Sequence, residues 1–331
     1  WLPMVPLLLL STCGGSKQSP VNIDRRRLQR DRGLGDILFE GYDQAPPGKW
    51  RLTNDGHTDM VLPWLSSSTS GGGLPGRYRA LQLHFHWGSP AGNGSEHTLD
   101  GWQLPMEMHI VHMNAKYRTL AEAKGHPNGL AVLGFFFQVG LQLLEGGDPV
   151  LGKVPTSHRT GDSVDLASTF RLGTLLPHAG RLSGYYRYQG SLTTPDCSEV
   201  VIWTIFEEPV EIGREQVPAP LSGVGLWHRP CAHQGQQGRH KHAGAGVPGT
   251  GLPTALPAQL QAFVSTLHFP AVGSTLPRMT NNFRPPQPLH GRKVFASRAA
   301  TASGGSPHRV PHQLLSPLLL LALLGPSSPA P

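Results

Sequence analysis

Basic clusters and cysteines are both scarce in this chain of 331 residues. The longest run of consecutive basic residues is Arg25-Arg26-Arg27, which is more typical of a solvated loop or strand end than of a nucleic-acid-binding patch. We therefore expect no nucleic-acid partner, although the formal net charge is +7. The three cysteines, Cys13, Cys197 and Cys231, are too few to close a structural zinc site, which takes four mostly thiolate ligands.

Long apolar segments and long amphipathic helices are also missing. The apolar run at 314–324 is shorter than the about 20 residues that an ordinary transmembrane helix needs. The apolar segment at 1–10 has no initiating Met, basic start or small-residue cleavage site, so we interpret residues 1–12 as an N-terminal remnant. Short strand-like pieces separated by turns follow, and the apolar run at 131–140 predicts a central strand buried on both faces.

Two histidines with one residue between them form the most informative pattern. His84 and His86 share one face of a strand, because successive side chains of a strand alternate, whereas residues two apart on a helix diverge. The segment 106–111 has the same alternation, so an antiparallel neighbouring strand would place His109 beside the pair. Three neutral imidazoles with one open position are typical of catalytic zinc, so the sequence predicts a zinc site at these residues.

Six motifs also occur together in one order. They are Gln18-Ser19-Pro20-Val21-Asn22-Ile23, His84-Phe85-His86-Trp87-Gly88, Ser95-Glu96-His97-Thr98, Glu107-Met108-His109-Ile110-Val111-His112, Gly190-Ser191-Leu192-Thr193-Thr194-Pro195 and Asn282-Phe283-Arg284-Pro285. With them, over residues 13–216 and 258–296, the chain resembles the α-carbonic anhydrases, specifically their extracellular, membrane-anchored branch. The resemblance implies one mainly β (α+β) domain at 13–296, with a large twisted, mostly antiparallel central sheet and short peripheral helices.

The resemblance also implies an activity, which is the reversible hydration of carbon dioxide to bicarbonate and a proton by a hydroxide on the zinc. His57, in the segment Asn54-Asp55-Gly56-His57, matches the family's proton shuttle, and an imidazole suits this task because its pKa lies near physiological pH. Without that context, His57 would be interpreted as an ordinary surface histidine. The implied protein is a monomer whose partner is its small-molecule substrate.

Thr193 matches a family threonine whose hydroxyl accepts a hydrogen bond from the zinc-bound water and donates one to a carboxylate, here Glu96. Alone, Thr193 would be interpreted as a turn former before a proline. Further matches form an apolar wall and substrate site near the metal, and plain core packing is the alternative role for the apolar ones. These residues are Val111, Val132, Leu192, Thr194 and Trp203.

The resemblance further assigns hydrogen-bond partners to the outer nitrogens of the histidines, which would fix tautomer and ring direction. Gln82 and Glu107 match the partners of His84 and His109, and a backbone carbonyl near Asn282 matches that of the remaining histidine. Glu107 could instead be an unrelated buried carboxylate. An unpaired buried charge is costly, however, which favours a histidine partner.

Two features bear on the cell compartment. Cys13 and Cys197 match a disulfide of the secreted branch, which would imply an oxidising compartment, although two unpaired buried thiols are the alternative. Cys231 is left over and could mispair. Asn93-Gly94-Ser95 is a candidate glycosylation site. We therefore expect the secretory pathway, with the protein secreted or held at the extracellular face of the plasma membrane.

The chain departs from the family pattern in two segments. Residues 218–257 form a Gly/Pro/His-rich insertion, which is unusually long for a compact domain. Its histidines could bind metal, but a disordered loop or non-coding sequence read in frame is the preferred interpretation. Residues 297–331 form a predicted flexible tail, in which Ser303-Gly304-Gly305 and the apolar run at 314–324 fit a glycosylphosphatidylinositol signal, whereas the polar ending does not. The insertion, together with the absence at 1–12 of the longer N-terminal arm that the family carries, leaves a rival hypothesis open, a catalytically impaired or misfolded product.

Overall fold

The computed structural model describes residues 13–55, 67–89, 92–139, 161–165, 169–212, 267–271, 275 and 277–301. Several predicted features lie outside these residues. They are the remnant at 1–12, His57, Cys231, the insertion at 218–257 and the tail from 302 onward.

Strands dominate the described part of the chain. They are β1 Asn22–Ile23, β2 Gln29–Arg30, β3 Ile37–Glu40, β4 Arg51–Thr53, β5 Ser68–Gly71, β6 Tyr78–Trp87, β7 Thr98–Leu99, β8 Trp102–Gln103, β9 Met106–Asn114, β10 Leu130–Val139, β11 Ser163–Asp165, β12 Tyr185–Gly190, β13 Val201–Ile212 and β14 Phe295–Ala296. Helical structure within the described ranges is short: the α-helix α1 Leu120–Lys124 and 3₁₀ turns at Leu172–Leu175 and Ala179–Arg181. No helix in these ranges is long and apolar enough to cross a membrane.

A nine-stranded sheet organises the domain, in the order β2-β14-β12-β13-β10-β9-β6-β5-β3. Its pairs are antiparallel except β10 with β13 and β14 with β2, which are parallel. Smaller sheets join β1, β7 and β8, and β11 with β4. This architecture confirms the expected mainly β fold with a large, mostly antiparallel sheet.

The central strands are buried on both faces, as the apolar run at 131–140 predicts. Because side chains alternate along a strand, one face of β10 presents Leu133, Phe135 and Phe137 to one core cluster, and the other presents Val132 and Phe136 to a second. The β6 residues that alternate with the histidines also pack into the first cluster. The histidines therefore lie on the face that belongs to the second cluster.

The two ends of the described chain are tied to the sheet. A disulfide joins Cys13 to Cys197, as the resemblance implied, and so fixes the first described residues to the loop before β13. At the other end Ser297 is fully buried and its backbone N–H donates to Tyr185 O at 3.0 Å. Packed structure therefore continues past 296, the predicted end of the domain.

Candidate metal centre

Strands β6 and β9 bring the three predicted ligands together. In their antiparallel register His84 lies directly opposite His109, and His86 lies two residues further along β6 on the same face. His109 Nδ1 is 3.2 Å from His84 Nε2 and 3.1 Å from His86 Nε2. All three side chains are buried. The three ring nitrogens thus converge on one point, as the strand alternation predicted.

Each outer ring nitrogen has an oxygen acceptor. His84 Nδ1 lies 2.7 Å from Gln82 Oε1, and His109 Nε2 lies 2.7 Å from Glu107 Oε1. His86 Nδ1 lies 2.8 Å from the backbone oxygen of Asn282. An oxygen acceptor requires a hydrogen on the nitrogen that faces it, so each neutral ring carries its lone pair on the inner nitrogen.

This donor set fits a zinc ion. Lone pairs that face one another repel unless a cation lies between them, and the distances of about 3 Å from His109 Nδ1 to the other two nitrogens are similar to the ligand spacing of tetrahedral zinc with bonds of about 2.0–2.1 Å. Burial lowers the pKa of His84 well below its ordinary value, with the neighbouring His86 and His109 adding to the shift, and burial likewise lowers the pKa of His86. The rings of His84 and His86 therefore stay neutral, which is the form that binds a metal.

Glu107 is held by more than one histidine. Burial raises the pKa of its carboxyl, but the adjacent His97 and His109 outweigh burial and leave that pKa well below the ordinary value. Oε1 lies 2.7 Å from His97 Nδ1, and Oε2 accepts the His97 backbone N–H at 2.8 Å. The carboxylate is therefore ionised and fully engaged at the base of the metal centre.

A hydrogen-bond network that extends from Glu107 was not predicted from the sequence. His97 Nε2 lies 2.7 Å from the Tyr188 hydroxyl, which donates to Ser19 Oγ at 2.9 Å. All of these side chains are buried. His97 and Ser19 both lie in the quoted motifs. The position of His97 directly after a motif carboxylate could have indicated that its ring takes part in the site.

Glu96 faces the metal position without a partner on one oxygen. Its Oε1 accepts the backbone N–H of Arg284 at 2.8 Å. Among the described residues Oε2 has no hydrogen-bond partner, and it lies 3.4 Å from His86 Nε2. A hydrogen bond to it from the Thr193 hydroxyl stays a prediction. A buried carboxylate oxygen left open in this way can accept a proton donor positioned at the centre.

The predicted apolar wall lies across three neighbouring strands. Val132 on β10 is the register partner of both Val111 on β9 and Trp203 on β13, and all three are buried. The Trp203 ring centroid is 4.8 Å from that of His109. Leu192 is half-buried against the same cluster. These side chains form an apolar surface beside the three histidines.

The remaining predicted residues are placed as follows. Thr194 is half-buried, and its backbone oxygen accepts the N–H of Cys197 at 2.8 Å, so the disulfide lies close to the Thr193-Thr194 loop. Asn93 is exposed, as a glycosylation site must be. The segment leading to His57 is described as far as Asp55, and in it Asn54 donates to the backbone oxygen of His268 at 2.8 Å.

Comparison with known proteins gives a consistent result. The sequence model of the family described as eukaryotic-type carbonic anhydrase matches residues 8–222. The chain is 40% identical over 305 residues to Carbonic anhydrase 15 of Mus musculus, covering 88% of this chain and 79% of that protein. It is 43% identical over 206 residues to Carbonic anhydrase 4 of Oryctolagus cuniculus, covering 62% and 66% of the two chains. Carbonic anhydrase 12 of Homo sapiens is 39% identical over 219 residues, covering 66% and 60%.

Proposed function

The chain belongs to the eukaryotic-type carbonic anhydrases, a family of zinc enzymes, and on that premise we propose that this chain itself converts carbon dioxide and water reversibly to bicarbonate and a proton. The observation that carries the proposal is the convergence of three inner ring nitrogens, from His84, His86 and His109, whose outer nitrogens all face acceptors. Such a site holds one ion with three protein ligands and leaves a position for the reacting oxygen.

A zinc ion held by His84, His86 and His109 would supply a hydroxide nucleophile near neutral pH, an effect for which carbonic anhydrases are themselves the standard example. We assign the orientation of that nucleophile to Thr193 and Glu96. Because Glu96 is buried with Oε2 open, it accepts the hydroxyl hydrogen of Thr193 and leaves the threonine oxygen as an acceptor. A group that cannot donate a proton to Thr193 is then disfavoured at the metal.

Substrate capture and proton release fall to different residues. We assign the binding of the apolar carbon dioxide molecule to the apolar wall of Val111, Val132, Leu192 and Trp203, from which water is excluded. Thr194 is assigned to the same substrate site by its sequence context. His57 passes the released proton to solvent, a role that rests on its sequence context.

The test is stopped-flow hydration of carbon dioxide by the zinc-loaded full chain. We expect activity that a chelator removes and added zinc restores. His84→Ala should abolish both zinc binding and activity, whereas His126→Ala, which changes an exposed histidine outside the site, should alter neither. A folded, zinc-loaded chain without activity would overturn the proposal and favour the impaired product.

We also propose that 13–296 is one domain that tolerates the insertion at 218–257. The described structure resumes at Leu267, which is fully buried in the first core cluster, so the core receives side chains from both sides of the insertion. Loop-closure entropy grows slowly with length, by about 0.6 kcal/mol per doubling. Deleting 218–257 should therefore preserve a single cooperative unfolding transition and the hydration activity; loss of both would assign the segment to the core of the domain.

The proposed location is the extracellular face of the plasma membrane, through a lipid anchor added near Ser303-Gly304-Gly305. The Cys13–Cys197 disulfide supports an oxidising compartment, and the exposed Asn93 supports glycosylation. Release of the protein from intact cells by phosphatidylinositol-specific phospholipase C tests the anchor. A mobility shift on glycosidase treatment that Asn93→Gln removes tests the glycan. We expect the released protein to be monomeric.

A further inference from the structure

Among the described residues, one large aromatic side chain is largely exposed to solvent. Trp102 is 77% exposed, whereas Trp50, Trp87 and Trp203 are fully buried. It lies on β8, at the edge of the small sheet that β8 forms with β7 and β1. Exposed tryptophan is favoured where an apolar ring and a polar N–H meet different environments, as at a protein or membrane interface.

Trp102 lies on a β-hairpin that hydrogen bonds hold in place. The two-residue turn between β7 and β8, Asp100 and Gly101, has φ values of 52° and 84°, as a tight hairpin turn requires. Asn22 on β1 accepts hydrogen bonds from the Thr98 hydroxyl at 2.7 Å and the Gly101 backbone N–H at 2.8 Å. The ring is therefore held outside the core by a hydrogen-bonded scaffold.

The hairpin lies close to the point where the described chain ends. Asp100 accepts hydrogen bonds from the backbone N–H and Nε of Arg25, at 2.8 and 2.7 Å. Arg25 Nη1 lies 3.7 Å from Glu207 Oε1, and Glu207 Oε2 accepts the backbone N–H of Thr301 at 2.8 Å. Three successive contacts thus connect the Trp102 hairpin with Thr301, after which the sequence continues into the proposed anchor signal.

Two arginines lie near the last described residues of the chain. The Arg30 guanidinium donates to the backbone oxygens of Ser297, Arg298 and Ala300, at 3.2, 2.9 and 3.1 Å. Arg298 itself is exposed. Neither Arg30 nor Arg298 makes an ion pair with any carboxylate of the described residues. Their charges are therefore available to an external anion.

We propose that Trp102, Arg30 and Arg298 form a membrane-facing surface that docks on the headgroup layer of a phospholipid bilayer. The inference rests on the proposed lipid anchor, which would leave the domain beside this surface. Tryptophan partitions into the headgroup region, and arginine pairs with lipid phosphates. A tethered domain docks intramolecularly, so modest contacts suffice to hold it.

The docked orientation can be measured by tryptophan quenching. The full chain is mixed with vesicles of phosphatidylcholine and phosphatidylserine in which the phosphatidylcholine carries brominated acyl chains, which quench nearby tryptophan. We expect quenching that is lost in Trp102→Phe, while hydration activity is unchanged. Vesicle sedimentation without any Trp102-dependent quenching would overturn the docking surface.

Binding measurements on variants distinguish docking through this surface from non-specific binding to vesicles. Trp102→Ala should weaken sedimentation with the same vesicles by about tenfold and Arg298→Gln by about fivefold. The controls are Leu38→Ala, which removes a 55% exposed side chain from β3 at the other edge of the large sheet, and Arg118→Gln, which removes an exposed charge; both should bind as the unmodified chain does. Equal losses in the variants and controls would overturn the proposal.

Two further outcomes distinguish the docking surface from the anchor and from self-association. Phospholipase release from cells without Trp102-dependent quenching leaves the anchor standing and overturns the docking surface. Trp102-dependent quenching without release of the protein by phospholipase supports the docking surface and contradicts the proposed lipid anchor. A dimer in sedimentation equilibrium that Trp102→Ala dissociates would show that a second copy covers the ring, and would overturn membrane docking.

Discussion

Replacing Glu107 by glutamine should weaken zinc binding by about 10- to 100-fold, which corresponds to about 1.4–2.7 kcal/mol. Glu107 is fully buried and receives the rings of His109 and His97 on Oε1, both at 2.7 Å, and the His97 backbone N–H on Oε2 at 2.8 Å. A carboxylate can accept all three contacts. An amide has one acceptor oxygen and an NH2 group that only donates.

Either orientation of the amide breaks the arrangement. If the oxygen of Gln takes the place of Glu107 Oε1, its NH2 faces the His97 backbone N–H, and a buried donor is left unsatisfied at a cost of about 1–3 kcal/mol. If the amide is reversed, its NH2 faces the outer nitrogen of His109. That ring must then place its hydrogen on Nδ1, towards the metal position, where it can no longer bind zinc.

The assay is zinc competition with a chromophoric chelator, run beside urea unfolding of the metal-free protein. Glu207→Gln is the matched control, because it removes a carboxylate that contacts Tyr186 and Thr301 away from the site and should leave zinc affinity unchanged. Unaltered zinc affinity in Glu107→Gln, together with lower stability, would refute the reasoning. Glu107 would then support the core without orienting His109.

Three further predictions concern stability. Burial lowers the pKa of His112 to about 4, below the ordinary value of about 6.5 in an unfolded chain, so its contribution is complete above pH 6.5 and is lost as pH falls towards 4, by about 3 kcal/mol. Urea unfolding across this range should show a steeper loss than in His112→Asn, and parallel curves would contradict it. Replacing Cys13 and Cys197 by serine removes a bond between residues 184 apart and should lower the free energy of unfolding by about 2–5 kcal/mol. A reductant should then destabilise the unmodified chain but not the serine variant, and equal destabilisation of both would argue against a role of the disulfide. Gly134→Ala places a Cβ 2.6 Å from a buried β13 side chain and should cost about 1–3 kcal/mol, whereas Gly180→Ala meets nothing within 4 Å and should cost little; equal melting temperatures would count against the packing argument.

The histidine site could be predicted from the sequence because it depends on the alternation of side chains along two short segments. The alternation of residues along β6 and β9 requires His84 and His86 to share a face, and one antiparallel pairing brings His109 opposite them. The apolar run at 131–140 likewise identifies β10 from its composition alone. Periodicity and composition are enough where neighbouring residues decide the outcome.

Contacts between distant segments could not be derived in this way. The His97–Tyr188–Ser19 network joins residues up to 169 positions apart, and no local pattern specifies such a meeting. The parallel pairing of β10 with β13 depends in the same way on the tertiary arrangement. The exposure of Trp102 is also unexpected, because composition alone would assign a tryptophan to the core.

The hydrogen bond from His86 to the backbone of Asn282 sets an order of events during synthesis. Its partners are 196 residues apart, and Arg284, whose N–H holds Glu96, emerges from the ribosome later still. At about 5–20 residues per second, the strands carrying the histidines wait roughly 10–40 s for these partners. His86 and Glu96 therefore gain these hydrogen-bond partners only as the last part of the domain arrives.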